Sequence, residues 1–138
     1  MITVNRLTDY ATLILCEMAY DNNAIISTQY LSEKIKMGKA TVIKILKLLT
    51  KKGLCKSYSG SAGGYKLNKE TSEITVLDII QAIEGNVALT LCGMEQNNIC
   101  TYKTECKVKH GWNKLNKLFI NNVENFTIQD FIDENTNF

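Results

Sequence analysis

The sequence predicts a mainly α fold with a small β wing, of the winged helix-turn-helix type, extended by a long C-terminal helix. Three observations predict it. Apolar residues recur at helical spacing from Leu7 to Leu49 and then give way to a short hairpin tipped by Ser59-Gly60-Ser61-Ala62-Gly63-Gly64. Ten lysines and no acid lie between Lys34 and Lys69, across the helices and the hairpin. The helical period returns after a cysteine-bearing loop, with Trp112, Leu115, Leu118 and Phe119 in one stripe.

Each element has a local reason. Leu7, Tyr10, Ala11, Ile14, Leu15 and Met18 share a face of a first helix over 7–21, which Asn22-Asn23 breaks. Ser27 or Thr28 caps a second helix to about Lys36, with Tyr30, Leu31 and Ile35 inward. Met37-Gly38 turns the chain into a third helix, Lys39 to Lys52, stopped by Gly53. Val42, Leu46 and Leu49 form its apolar side. Leu54 to Tyr58 and Tyr65 to Leu67 make the hairpin strands. Thr75 caps a fourth helix from Val76 to Glu84, ended by Gly85. Residues 92–106 read as loop, a long helix covers about 107–122, and Thr127 caps a short last helix.

With 138 residues and no proline, one compact domain with a small appendage is expected. The composition, 45% hydrophobic and 22% charged, excludes wholesale disorder and low-complexity linkers. No apolar run approaches the roughly 20 residues that cross a bilayer. The N-terminus carries charges inside its apolar stretch, which argues against a secretory signal and for the cytoplasm.

A net charge of +2 hides an asymmetry of +7 over residues 1–69, with 11 basic and 4 acidic residues, against −5 over 70–138. That is the pattern of a polyanion site on the first half; charge alone leaves a solvated lysine surface equally open. The third helix narrows the choice. Ala40, Thr41 and Lys44 suit contact with base edges in a major groove, and Lys39, Lys47, Lys51 and Lys52 suit phosphates. An exposed amphipathic helix would share those features, but the hairpin directly after it favours double-stranded DNA. Thr28, at the start of the helix that crosses the backbone, and Ser59 and Ser61 in the wing complete the expected interface.

Of five cysteines, Cys16 and Cys55 sit in apolar contexts and read as small buried hydrophobes. Cys92, Cys100 and Cys106 crowd into one loop, with His110 four residues on. Three soft ligands suit zinc or an iron–sulfur cluster. The spacing is also similar to a CCCH zinc finger, with Tyr102-Lys103-Thr104 looking like part of one. Incidental thiols and a redox disulfide remain open on spacing alone.

The order of features carries more. Leu7-Thr8-Asp9-Tyr10-Ala11 opens the chain, Gly63-Gly64-Tyr65-Lys66-Leu67 closes the wing, and Ile74-Thr75-Val76-Leu77-Asp78-Ile79-Ile80-Gln81-Ala82-Ile83-Glu84-Gly85 precedes the cysteines and Trp112. Over nearly its whole length the chain resembles the Rrf2 superfamily of winged-helix regulators, of the IscR and NsrR type. Val87-Ala88-Leu89-Thr90 and Trp112-Asn113-Lys114-Leu115-Asn116 look most like the branch that regulates SUF iron–sulfur assembly operons.

The resemblance implies a homodimer with a DNA-binding domain over 1–85, a cluster loop over 86–106, and a dimerisation helix with the C-terminal segment over 107–138. It implies an iron–sulfur cluster, [2Fe–2S] or [4Fe–4S], on Cys92, Cys100 and Cys106. One branch adds a histidine three positions after the last cysteine, where this chain has Lys109 and His110 follows. Another adds an aspartate from the partner subunit, and Asp9 matches it. Asp9 is the favoured fourth ligand and His110 the alternative. Family wings carry a tip arginine; here the positions hold Ser59, Ser61 and Ala62.

The expected function is a cluster-sensing transcriptional regulator, a repressor of iron–sulfur assembly genes. The alternative is a zinc-stabilised nucleic-acid-binding module without a sensing role. An enzyme finds no support: one histidine, no nucleophile motif and no phosphate-cradling loop. Trp112, Leu115, Leu118 and Phe119 are expected at the dimer interface, being too apolar to face water.

Overall fold

The computed structural model describes residues 2–21, 24–94, 100–102 and 105–136. The expected break at Asn22-Asn23, and Lys103 and Thr104 of the finger-like motif, lie outside them. Six helices and one two-stranded antiparallel sheet follow in the order α1 (Arg6–Tyr20), α2 (Thr28–Ile35), α3 (Lys39–Lys52), β1 (Cys55–Tyr58), β2 (Gly64–Leu67), α4 (Val76–Glu84), α5 (Lys109–Asn125) and α6 (Ile128–Thr136). Two 3-10 turns, Thr71–Glu73 and Leu91–Gly93, were not evident from periodicity.

The caps explain the boundaries. The Asn5 side chain accepts the Leu7 N–H to start α1, and Ser27 accepts from Tyr30 to start α2. Thr75 and Asp78 exchange side-chain and backbone bonds as a capping box on α4. α3 ends on Gly53 in the left-handed conformation.

α1, α3 and α4 enclose the core. Ala11, Ile14, Leu15, Leu31, Val42, Ile45, Leu46, Leu49, Leu54, Ile74 and Ile79 are fully buried. Ile45 joins the expected apolar side of α3, widening it. Tyr30 does not point inward as expected: Leu31 takes the core-facing position, and the adjacent Tyr30 lies ~100° round the helix from it. It is 44% exposed, donates to Asp21 Oδ1 at 3.5 Å and lies under the Lys34 ammonium.

One β-bridge ties the wing to the body, and Cys55 and Leu67 of its strands are buried in the core. Ile26 and Tyr65 exchange N–H···O bonds at 2.8 Å each. A Cβ on neighbouring Gly64 would come within 2.2 Å of the Ile26 carbonyl oxygen, so only glycine allows this approach.

α5 runs three residues beyond its expected end. α6 then turns back onto α1 and the 3-10 turn Thr71–Glu73. Val76 donates to the Phe126 carbonyl and Ile128 to the Ile74 carbonyl, and Ile128 is buried in the core beside Phe131 and Ile132. The C-terminal helix therefore packs with residues 1–85 rather than with α5. No helix among the described residues is long and apolar enough to cross a membrane.

Candidate functional site

On α3, Ala40, Lys44, Lys47 and Lys51 are exposed and spaced four, three and four apart, which is one stripe along the helix. Lys39 is exposed beside it and Thr41 is half-buried. The stripe stays free because acids go elsewhere. Among the described residues, ion pairs join Lys34 to Glu17 at 3.1 Å and to Asp21 at 3.6 Å. Lys52, at the end of α3, instead donates to Gln81 Oε1 of α4 at 2.7 Å.

The wing adds a pairing that spacing alone did not predict. The register sets Lys56 directly opposite Lys66. Like charges across a strand pair repel, and a polyanion relieves that. Lys56 also lies 5.6 Å from the centre of the Tyr58 ring. Ser59 and Ser61 are exposed at the tip, and Thr28 is half-buried in the first turn of α2.

The five thiols divide as the sequence expected. Cys16 and Cys55 are buried. Burial, helped by the Glu17 charge, raises the Cys16 thiol to about 11, and burial alone raises Cys55 to about 12. Cys92, Cys100 and Cys106 are free and half-buried, a donor set that fits an iron–sulfur group or zinc in kind. Cys92 sits in the 3-10 turn Leu91–Gly93, and Thr90 Oγ1 lies 3.1 Å from its sulfur.

Asp9 is exposed in the first turn of α1, and His110 is exposed in the first turn of α5. Within one chain, the described residues bring no three His, Cys, Asp or Glu side chains into a metal-holding group. On α5, Trp112, Leu115 and Leu118 are 40%, 47% and 54% exposed, with Phe119 half-buried beside them.

Two polar residues that the sequence reading passed over join these parts. Glu84, the last residue of α4, accepts from the Asn5 N–H at 2.9 Å and the Thr8 hydroxyl at 2.5 Å. It fastens the turn that carries Asp9 to the start of the cysteine segment. Asn116 of α5 accepts from the Leu89 N–H at 2.9 Å. Neither bond is local in sequence; the one available signal was a polar residue inside an otherwise apolar helical pattern.

A basic helix and wing on a packed body, followed by a thiol-bearing loop and an apolar helix, define a DNA-binding regulator of the winged-helix class. The chain belongs to the Rrf2 family, described as iron-dependent transcriptional regulators, whose model matches residues 4–134. It is similar to the HTH-type transcriptional regulator NsrR of Bacillus licheniformis, with 26% identity over 130 residues, covering 94% of this chain and 91% of that one. NsrR of Oceanobacillus iheyensis is 27% identical over 132 residues, covering 95% and 90%. Among solved structures, CymR, the global cysteine regulator of B. subtilis, superposes with TM-score 0.73 at 21% identity, covering 97% and 98% of the two chains. T. potens IscR does so with TM-score 0.71 at 22% identity, covering 96% and 88%. The structural likenesses show the fold. The family shows a transcriptional regulator that acts on DNA and not an enzyme.

Proposed function

We propose that this regulator is a cytoplasmic, iron–sulfur-sensing repressor of iron–sulfur assembly (SUF) genes, which binds promoter DNA as a homodimer. The observation that carries this reading is the pairing, in one chain, of the free lysine stripe on α3 with three half-buried thiols in the loop before α5. NsrR and IscR relatives support the cluster, since the family is described as iron-dependent.

In this reading Ala40, Thr41 and Lys44 meet base edges, while Thr28, Lys39, Lys47 and Lys51 hold phosphates. Lys56 and Lys66 bring the wing to the backbone, with Ser59 and Ser61 at its tip. Cys92, Cys100 and Cys106 hold the cluster, and Asp9, donated across the dimer, is the fourth ligand ahead of His110. The cluster supplies a crosslink among these ligands that iron supply or oxidants can make or remove. Trp112, Leu115, Leu118 and Phe119 pack against their copies, which explains why the single chain leaves the first three exposed. Through Asp9 and Glu84, a change at the cluster reaches α1 and the DNA-binding helices.

The test is the visible spectrum of anaerobically purified protein, with iron and acid-labile sulfide counted. Broad charge-transfer bands that vanish in Cys92→Ser support the reading. A colourless protein loaded with zinc replaces it with a zinc-stabilised DNA-binding module.

A further inference from the structure

α5 is 17 residues long, and among its described side chains the buried one is polar: Asn116, 6% exposed. A buried amide is unfavourable unless it is bonded, and a leucine there would bury more apolar area. The contacts of Asn116 explain the choice. Its Oδ1 accepts from the Leu89 N–H at 2.9 Å. Its amide also packs against Gly93, where a Cβ would come within 3.0 Å of Nδ2 and 3.1 Å of Cγ.

Between those two contacts lies Cys92. The turn around it is closed three ways. Gly93 N–H donates to the Thr90 carbonyl at 3.0 Å, the Thr90 hydroxyl meets Cys92 Sγ at 3.1 Å, and Asn116 pins both ends to α5. Among the described residues, neither Cys100 nor Cys106 has a hydrogen bond to its sulfur.

We propose that Asn116 is a positioning residue for Cys92: it clasps the turn Leu89–Gly93 to α5, so that this one thiol is set in place before any metal group arrives. The role toward a metal group rests on the reading that Cys92 is a cluster ligand; the clasp itself does not. It makes Cys92 the preformed corner of the site, around which Cys100 and Cys106 are drawn in. The same bond attaches the cysteine loop to the helix that carries the exposed apolar stripe.

The experiment compares wild type with Asn116→Leu, which keeps the bulk and removes the acceptor, and Asn116→Asp, which keeps an oxygen acceptor. Gly93→Ala, which crowds the amide without altering it, is the second route. Two readouts are taken on the full chain: amide hydrogen exchange over 87–93 in the metal-free protein, and cluster bleaching by a chelator after anaerobic reconstitution. Asn116→Leu and Gly93→Ala are expected to speed exchange at 87–93 while α3 stays protected. They should also shorten the cluster lifetime roughly tenfold, the scale for losing an outer-shell partner. Asn116→Asp should restore much of both. Wild-type exchange in Asn116→Leu and Gly93→Ala overturns the clasp. A loosened turn with an unchanged cluster lifetime overturns the positioning role. If wild type takes up no cluster, the ligand reading fails and with it the role toward a metal, while the exchange result still decides the clasp.

Discussion

The body of this protein and its α5 arm are both amphipathic helix, yet they solve the burial problem differently. In the body, every helix turns its apolar side onto a shared core, and even α6 returns to add Ile128. On α5 the buried position is an asparagine, and the large apolar residues Trp112, Leu115 and Leu118 face outward. The body is complete as one chain. α5 also meets α4 and is bonded through Asn116 to the cysteine segment, but its outward apolar stripe has no partner among the described residues. An apolar stripe left exposed in one chain is where a second copy is expected to pack.

The largest effect expected from this contrast is on stability. Leu46 is fully buried, so Leu46→Ala should lower unfolding free energy by about 2–5 kcal/mol. Leu118→Ala, on the arm, should change the unfolding of dilute protein by less than about 0.5 kcal/mol. Denaturant titration of both variants checks the pair; equal losses would erase the distinction.

Oligomeric state comes next. Wild type should sediment as a dimer at micromolar concentration with or without a metal group. Leu115→Asp combined with Leu118→Asp should sediment as a monomer whose body still melts cooperatively. A monomeric wild type would mean that the exposed stripe has another use.

A smaller effect separates the basic side of the body from its core. Lys44→Ala and Lys47→Ala should each weaken DNA binding and flatten the salt dependence by about one unit, one phosphate contact per lysine. Folding should be unaffected, since both side chains are exposed. Unchanged affinity across several salt concentrations would move the DNA surface elsewhere.

The smallest effect is a pH dependence confined to the body. The folded state holds Cys16 at about 11 and Cys55 at about 12, above the ordinary value of 9.0. The unfolded chain therefore loses these protons first, so the contribution is full below pH 9.0 and is lost as pH rises toward the folded values. Unfolding midpoints measured between neutral and strongly alkaline pH should fall, and Cys55→Ala should soften the decline.

Much of the body was legible because its determinants are local. Ser27, Thr75 and Gly53 marked helix ends through contacts within a few residues, and periodicity picked out Val42, Leu46 and Leu49. Tyr30 misled because it adjoins Leu31, and packing against the body turns only one of the two fully inward. The links between segments distant in sequence were not legible. Glu84 reaches Asn5 and Thr8 at the other end of the domain, and Asn116 reaches back across the cysteine loop to Leu89. Spacing arguments see neither. The cysteines were legible as a group, since three in one loop is a pattern of sequence. Among the described residues of one chain, the three sulfurs are not brought into one metal-holding group.

In the proposed function, the state of the cysteine loop sets the affinity of the basic helix. This coupling is tested most directly by measuring DNA binding of one anaerobic preparation before and after cluster loading, with Cys92→Ser alongside. Loading is expected to change wild-type affinity by about tenfold or more, a coupling of about 1.4 kcal/mol, and Cys92→Ser is expected not to respond. Equal wild-type affinities in the two states, with the cluster present by its spectrum, would contradict it.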